Sequence, residues 1–255
     1  MEQTNSDFNI NNNVAQANDL IRRTTGDINT VPLKLLKLLI SCIDTTNPPK
    51  DYSVTVRKED LLYFSNASGK GELSYLKKQL NYLITAVDLV NEDGENKTVA
   101  LLTGYSWGKG SSWVRCTFHK DIWPYVTDLK EKFLQYNIMQ IKAFKSKFSI
   151  ILYENLLSYT KQTGSKTIKM SVDDIRRITG TEKKYKDFKD FEKNVLKNAQ
   201  DEINNDPYIE FLFTYEKLKA GREYSDIVFF LRKRTSAEDT LDFTKYPDRL
   251  TQNIG

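Results

Sequence analysis

The chain of 255 residues is short of the side chains on which most metalloenzymes and secreted scaffolds are built, with one histidine, two cysteines and six prolines. The lone His119 follows Thr117 and Phe118 in an alternating, strand-like stretch, so a tyrosine nuclease working beside a His-rich metal centre would have no ligands. Cys42 lies in an apolar helical pattern and Cys116 in a strand pattern, without metal-ligand spacing, and a single pair is too few for a disulfide framework. A reduced, cytoplasmic protein is expected. No window approaches the ~20 apolar residues of a membrane span, and residues 1–13 form an Asn-rich polar tail without the basic-then-apolar order of a signal peptide. A Gly-x4-Gly-Lys-Ser/Thr loop is missing, so nucleotide hydrolysis has no seat, and neither cofactor nor metal is implied. The excess of cations is small as well: 38 Lys and Arg face 34 Asp and Glu, so a nucleic-acid role rests on where the cations lie.

What the chain does have is a repeated order of elements. From about residue 36 and again from about 150, an apolar helix, an alternating strand, a second helix, an amphipathic third helix and a Gly-turned hairpin follow one another. Val54 and Ile168, Val56 and Met170, Asp60 and Asp174, Leu61 and Ile175, and Phe64 and Ile178 all sit 114 residues apart. The pattern predicts an α+β protein of tandem, duplicated winged-helix (helix-turn-helix) domains, a geometry suited to gripping neighbouring stretches of one duplex. The expected units are 14–128 and 129–235, flanked by a disordered tail over 1–13 and a C-terminal tail over 236–255.

In the first unit, Val14, Ala17, Leu20 and Ile21 recur at helical spacing and predict a short helix. A core helix follows Pro32 through Leu35, Leu36, Leu38, Leu39 and Ile43 to the Asn47-Pro48-Pro49 stop. Tyr52, Val54 and Val56 read as a strand, Leu61 to Phe64 as a helix, and Ser65 to Gly71 as its turn. In the next helix Leu73, Leu76, Leu80, Leu83, Ile84 and Val87 fall on one face, leaving Ser74, Lys77, Lys78 and Asn81 opposite. Val99, Leu101 and Thr103 then run out, and Trp113 and Phe118 back, along a hairpin with Gly104, Gly108 and Gly110 near its tip. Lys109, Ser111, Ser112 and Arg115 are donors suited to phosphate there, although a plain tight turn explains the glycines equally well. Trp107 and Trp113 read as packing aromatics. Asp88, Glu92, Asp93 and Glu95 read as a solvated loop around an Asp93-Gly94 turn. Asp121 to Tyr136 forms a semi-rigid connector in which Leu129, Phe133 and Tyr136 read as a helix.

The second unit repeats this plan with more cations. Phe148, Ile151, Leu152, Leu156 and Tyr159 make its core helix, ended by Gly164, and Ile168 and Met170 its strand. Ser171 with Asp174 three residues on is a capping box, which accounts for the Asp173-Asp174 pair better than a metal does. From Lys186 to Asn204, Phe188, Phe191, Val195, Leu196, Ala199 and Ile203 share one helix face, and Lys186, Lys189, Lys193 and Lys197 the other. A lysine stripe is usually a solvated face. This one follows Lys183, Lys184 and Tyr185, occupies the recognition-helix position, and precedes a hairpin carrying Lys217, Lys219 and Arg222, which together favour DNA. Asp190 and Asp201 either steer base choice or pair with neighbouring lysines.

The segments KLLKLLIS (34–41), LKEKFLQY (129–136), KSKFSIILYENLLSY (145–159), YKDFKDFEKNVLKNAQDEIN (185–204) and AGREYSDIVFF (220–230) resemble the initiator replication proteins of theta-replicating bacterial plasmids, whose origins carry repeated sequences called iterons. The resemblance runs from about Val14 to Arg232. It implies two winged-helix domains, monomeric binding to direct repeats of double-stranded DNA, and a homodimeric, autorepressing form joined through the first domain. It also implies recruitment of the host initiator ATPase and replicative helicase. Carried over by position, Tyr185 to Asn204 is the main recognition helix and Lys70 to Asn81 its weaker counterpart; Glu192 stands where relatives are often basic and Asn198 where they often have Pro. A winged-helix transcriptional regulator without origin-opening activity fits the same elements, whereas a relaxase or primase lacks its residues.

Overall fold

A computed structural model describes residues 9, 11–25, 28–90, 96–130 and 132–235; the expected loop residues Glu92, Asp93 and Glu95, the tail 236–255 and most of the tail 1–13 lie outside them. The chain opens with β1 (Asn13–Ala17), α1 (Asn18–Arg23) and β2 (Thr24–Thr25), then α2 (Thr30–Ser41), β3 (Ser53–Arg57), α3 (Lys58–Ser65) and α4 (Glu72–Ile84). Strands β4 (Ala86–Val90), β5 (Asn96–Ala100), β6 (Leu102–Ser106) and β7 (Trp113–Phe118) precede the short α5 (Pro124–Thr127) and β8 (Phe133–Asn137). The second half contains α6 (Lys147–Thr163), β9 (Thr167–Ser171) and α7 (Val172–Thr179). A continuous helix follows, made of α8 (Phe188–Phe191), a π segment (Glu192–Lys197) and α9 (Asn198–Asn205), and the chain returns through β10 (Phe211–Ala220) and β11 (Glu223–Lys233).

The duplication survives as geometry. Sheets β3-β7-β6 and β9-β11-β10 share one antiparallel order with the returning wing strand in the centre. The rung Val54–Cys116–Tyr105 corresponds to Ile168–Phe229–Tyr215. The first unit adds a second hairpin, β4-β5, extended by β2, so Val99 pairs with Val87 rather than serving the wing.

Two expected helices are strands. Val14 and Ala17 lie on β1, which pairs antiparallel with β8 carrying Phe133 and Tyr136, and Leu129 belongs to no regular element. The spacing misleads because β1 turns directly into α1: Leu20 and Ile21 are helical but Val14 is not. Likewise α2 ends at Ser41, before Ile43. On α4 Leu73 and Ile84 flank the buried stripe and stay exposed, while Val87 has passed into β4. Both cysteines are buried as thiols rather than joined in a disulfide, and burial pushes the Cys116 thiol up to about 12.

Beyond the expected boundary at 128/129, β8 pairs back onto β1, and α2 packs on α6, so the buried side chains of both units form one continuous core. A polar knot crosses it. Glu154 Oε1 accepts from Gln16 Nε2 and from the Tyr136 hydroxyl, both at 2.6 Å, and lies 3.0 Å from Lys37 Nζ, which also donates to Gln16 Oε1 at 2.8 Å. All four residues are buried, and burial raises the Tyr136 phenol far above its ordinary range, keeping it a donor. Nearby, buried Lys34 donates to the Lys142 carbonyl at 2.7 Å. Burial lowers its amine to about 8 and raises the Asp206 carboxyl to about 6.

Candidate nucleic-acid interface

In the second unit Ser171 caps α7: its Oγ accepts from the Asp174 amide at 3.0 Å and donates to Asp174 Oδ2 at 2.7 Å. Gly180, in the left-handed conformation, ends that helix. The turn beyond it is gathered by Arg176, whose guanidinium donates to the carbonyls of Thr181 (3.3 Å), Lys184 (3.0 Å) and Tyr185 (2.9 Å) and lies 4.3 Å above the Phe191 ring. Tyr185 itself has φ of 51°, a costly region for a bulky residue, and its ring packs edge-on against Phe148. Asp187 then caps the recognition helix through the Lys189 amide at 2.8 Å.

Phe191, Leu196, Ala199 and Ile203 of that helix are fully buried. Phe191 and Leu196 stand five residues apart, the spacing of a π turn, which brings both onto the core side. Lys189, Lys193 and Lys197 are exposed on the other side. Glu192, at the helix edge, accepts from the Tyr215 hydroxyl and from Lys217 Nζ, both at 3.1 Å, tying the helix to the wing. Lys219 lies 4.9 Å from the Tyr224 ring, and Arg222 is exposed beside Gly221 at the wing tip, where φ of 67° suits glycine.

The first unit has a related but different surface. Arg57 occupies the position of the Ser171 cap and makes no cap bond; its guanidinium instead pairs with Asp60 at 2.9 Å and Glu59 at 2.8 Å. Ser74, Lys77, Lys78 and Asn81 are exposed on α4 opposite buried Leu76, Leu80 and Leu83. Tyr105 of the wing donates to Asn81 Oδ1 at 2.7 Å, with the Lys77 carbonyl at 3.3 Å, and Lys77 Nζ lies 5.4 Å over Trp107, which stacks on Tyr105.

A family model described as initiator replication protein, WH1, matches residues 13–157, more than half of the chain, and one described as initiator Rep protein, WH2, matches residues 171–230. The chain belongs to this initiator replication protein family. A replication initiation protein of Escherichia coli is 27% identical over 222 residues, covering 84% of this chain and 64% of the relative, so this chain spans just under two thirds of that protein's length. Among solved structures, Pi initiator protein in complex with iteron DNA superposes with a TM-score of 0.69 at 19% identity, over 89% of this chain and 100% of that one. Domains 2 and 3 of RctB give 0.52 at 7% identity, over 79% and 80%. These two likenesses are of fold.

Within WH2, the expected residues Lys183, Lys184, Lys186, Lys189, Lys193, Lys197, Lys219 and Arg222 are exposed around one helix and its wing. Lys186 precedes the helix, which starts at Phe188 rather than at Lys186. Tyr185 turns partly inward, and Lys217 is engaged by Glu192. Within WH1, Lys70, Ser74, Lys78 and Lys109 are exposed, whereas Ser111 bonds locally to the backbone of Trp113, two residues on at the start of β7, and Arg115 pairs with Asp51. Sequence reasoning missed Arg176, which builds the turn, and the two wing tyrosines; the only signal was that Tyr105 and Tyr215 precede returning strands of matching register. His119 accepts from the Asp121 amide at 3.2 Å, a structural bond. Among the described residues no cluster of His, Cys, Asp or Glu could hold a metal ion, and no helix is long and apolar enough to cross a membrane.

Proposed function

We propose that this chain is a sequence-specific double-stranded DNA-binding protein that initiates plasmid replication from repeated origin sequences in the cytoplasm. The observation that carries this reading is the pairing of two winged-helix units in one body, each with a cation-bearing recognition helix, in the fold of an initiator solved with iteron DNA. WH2, with Lys189, Lys193 and Lys197 free of the core, supplies principal recognition, and WH1 a secondary contact and the homodimer surface of an autorepressing form. The host initiator ATPase and replicative helicase are the partners of the DNA-bound protein.

Footprinting on DNA from upstream of the gene tests the proposal. Directly repeated protected sites, each about two helical turns long with the helices roughly 10.5 bp apart, are expected. Protection of a single inverted pair alone would assign the chain to transcriptional repression instead.

A further inference from the structure

The wing–helix clasps of the two units are built on equivalent positions with different chemistry. Tyr105 and Tyr215 occupy the same rung of their sheets, paired with Cys116 and Phe229. Two residues further on stand Trp107 and Lys217. In WH2 the clasp closes on itself: Tyr215 and Lys217 both bind the Glu192 carboxylate, only 14% of whose side chain is exposed. In WH1 the helix partner of the tyrosine is Asn81, and among the described residues no carboxylate takes part.

At about 100° per residue, Asn81 stands between Ser74 and Lys77 on the arc of α4 opposite Leu76, Leu80 and Leu83, so it faces whatever that helix meets. An exposed amide ordinarily samples several rotamers and loses that freedom on binding. Here the 2.7 Å bond from Tyr105 fixes it in advance. With the phenol donating to one lone pair of Oδ1, both Nδ2 hydrogens and the second lone pair remain available. Adenine in the major groove offers the matching N7 acceptor and N6–H donor.

Resting on the proposed DNA-binding function, we infer that Asn81 reads an adenine through the major groove and that Tyr105 is its positioning residue. WH1 then contributes sequence information and not merely phosphate contact. Because an amide carries no charge, this contribution does not enter the salt dependence of binding.

The test uses the full chain and duplexes carrying the footprinted repeat with each base pair replaced in turn. Asn81→Ala is expected to abolish discrimination at one A·T pair, a loss of about 5- to 150-fold in preference there, while preferences elsewhere and the salt slope are kept. Replacing that adenine by 7-deazaadenine should weaken the wild type and leave Asn81→Ala unaffected. Tyr105→Phe should reduce preference at the same pair alone, and should have no such effect in the Asn81→Ala background, which a purely structural tyrosine would not show. Equal weakening by Asn81→Ala on every duplex, no weakening at all, or a Tyr105→Phe effect independent of Asn81 overturns the inference. A wild type that selects no repeat overturns the proposed function, and the inference with it.

Discussion

Glu192 decides how many cations the WH2 wing offers. Its carboxylate sits 3.1 Å from Lys217 Nζ and also holds Tyr215, so of the three expected wing cations only Lys219 and Arg222 are left outside this pair. Neutralising all three should therefore flatten the log–log salt slope by about two units rather than three. Glu192→Gln keeps an acceptor for Tyr215 but releases Lys217, and is expected to tighten binding and steepen the slope by about 0.9. Titration at several salt concentrations checks this: Lys217→Ala should matter more in the Glu192→Gln background than in the wild type, and equal effects would remove the shielding. Asp206 makes a different prediction. Its carboxyl, 4% exposed, accepts from the Tyr208 amide while Oδ2 has no hydrogen-bond partner among the described residues, and burial raises it from 3.8 to about 6. An acid with a raised folded-state value binds more protons folded than unfolded, so its contribution to stability falls as pH rises from about 4 to 6 and stays lost above. Lys34, lowered to about 8, makes stability rise between pH 8 and 10.5 by the same linkage. Asp206→Asn is expected to gain on the order of 1–3 kcal/mol at pH 7 and to flatten the acid-side fall, since each tenfold change in proton affinity is worth about 1.4 kcal/mol. Urea unfolding from pH 4 to 7 measures both.

At the scale of elements, the turn of the WH2 helix-turn-helix depends on one side chain. Arg176 bonds three carbonyls and packs on Phe191, and a lysine cannot bridge three acceptors with a planar fork. Arg176→Lys should cost about 1.5–3 kcal/mol of stability, the scale of hydrogen bonds from a charged donor. It should also weaken cognate binding more than binding to random DNA, since it loosens the Lys183–Lys186 turn without removing a cation. Equal losses on both DNAs would deny Arg176 a role in shaping the reading surface. Such a role is hidden in the sequence, where Arg176 looks like any polar residue of an amphipathic helix. The elements with one periodicity are legible: α2, α4, α6, the Ser171 cap and the second wing follow from apolar spacing, capping chemistry and glycine positions, whereas in the first wing the outgoing strand is β6, with Gly104 inside it and Val99 in the separate β4-β5 hairpin. Where periodicity changes within a few residues, spacing misleads. The β1–α1 junction mixes a period of two with one of 3.6, and Phe133 with Tyr136 fits a helix by spacing although β8 is a strand. The π segment is signalled only by Phe191 and Leu196 standing five apart. Of the candidate site, the exposed lysines are legible from the faces opposite the core; the partners of Lys217, Arg115 and Asn81 are not, because each depends on how the chain folds back on itself.

The molecule as a whole is less divisible than its duplicated sequence implies. β1 of the first unit is paired to β8 beyond the expected boundary, α2 and α6 share the core, and Lys37 and Glu154 form a buried pair across it with side-chain exposures of 5% and 3%. Cutting the chain between Asp128 and Leu129 would separate β1 from β8 and bare the α2 and α6 faces, so neither half is expected to fold as well alone as within the whole. The buried pair itself is costly to desolvate and costlier to break. Glu154→Gln preserves acceptors for Gln16 and Tyr136 but leaves the Lys37 charge unpaired, and is expected to lose about 3–5 kcal/mol, most of which Lys37→Met in the same chain should restore. All three tryptophans, Trp107, Trp113 and Trp123, lie in the first unit, so their fluorescence follows that unit while far-ultraviolet circular dichroism follows both. Wild-type urea transitions by the two signals should coincide, as a single cooperative body requires. In Glu154→Gln the fluorescence and dichroism midpoints should separate, because the knot that couples the units is broken. Midpoints that already differ in the wild type, or that still coincide in a strongly destabilised Glu154→Gln, would show that the coupling resides in the apolar contact of α2 with α6 or in no interface at all.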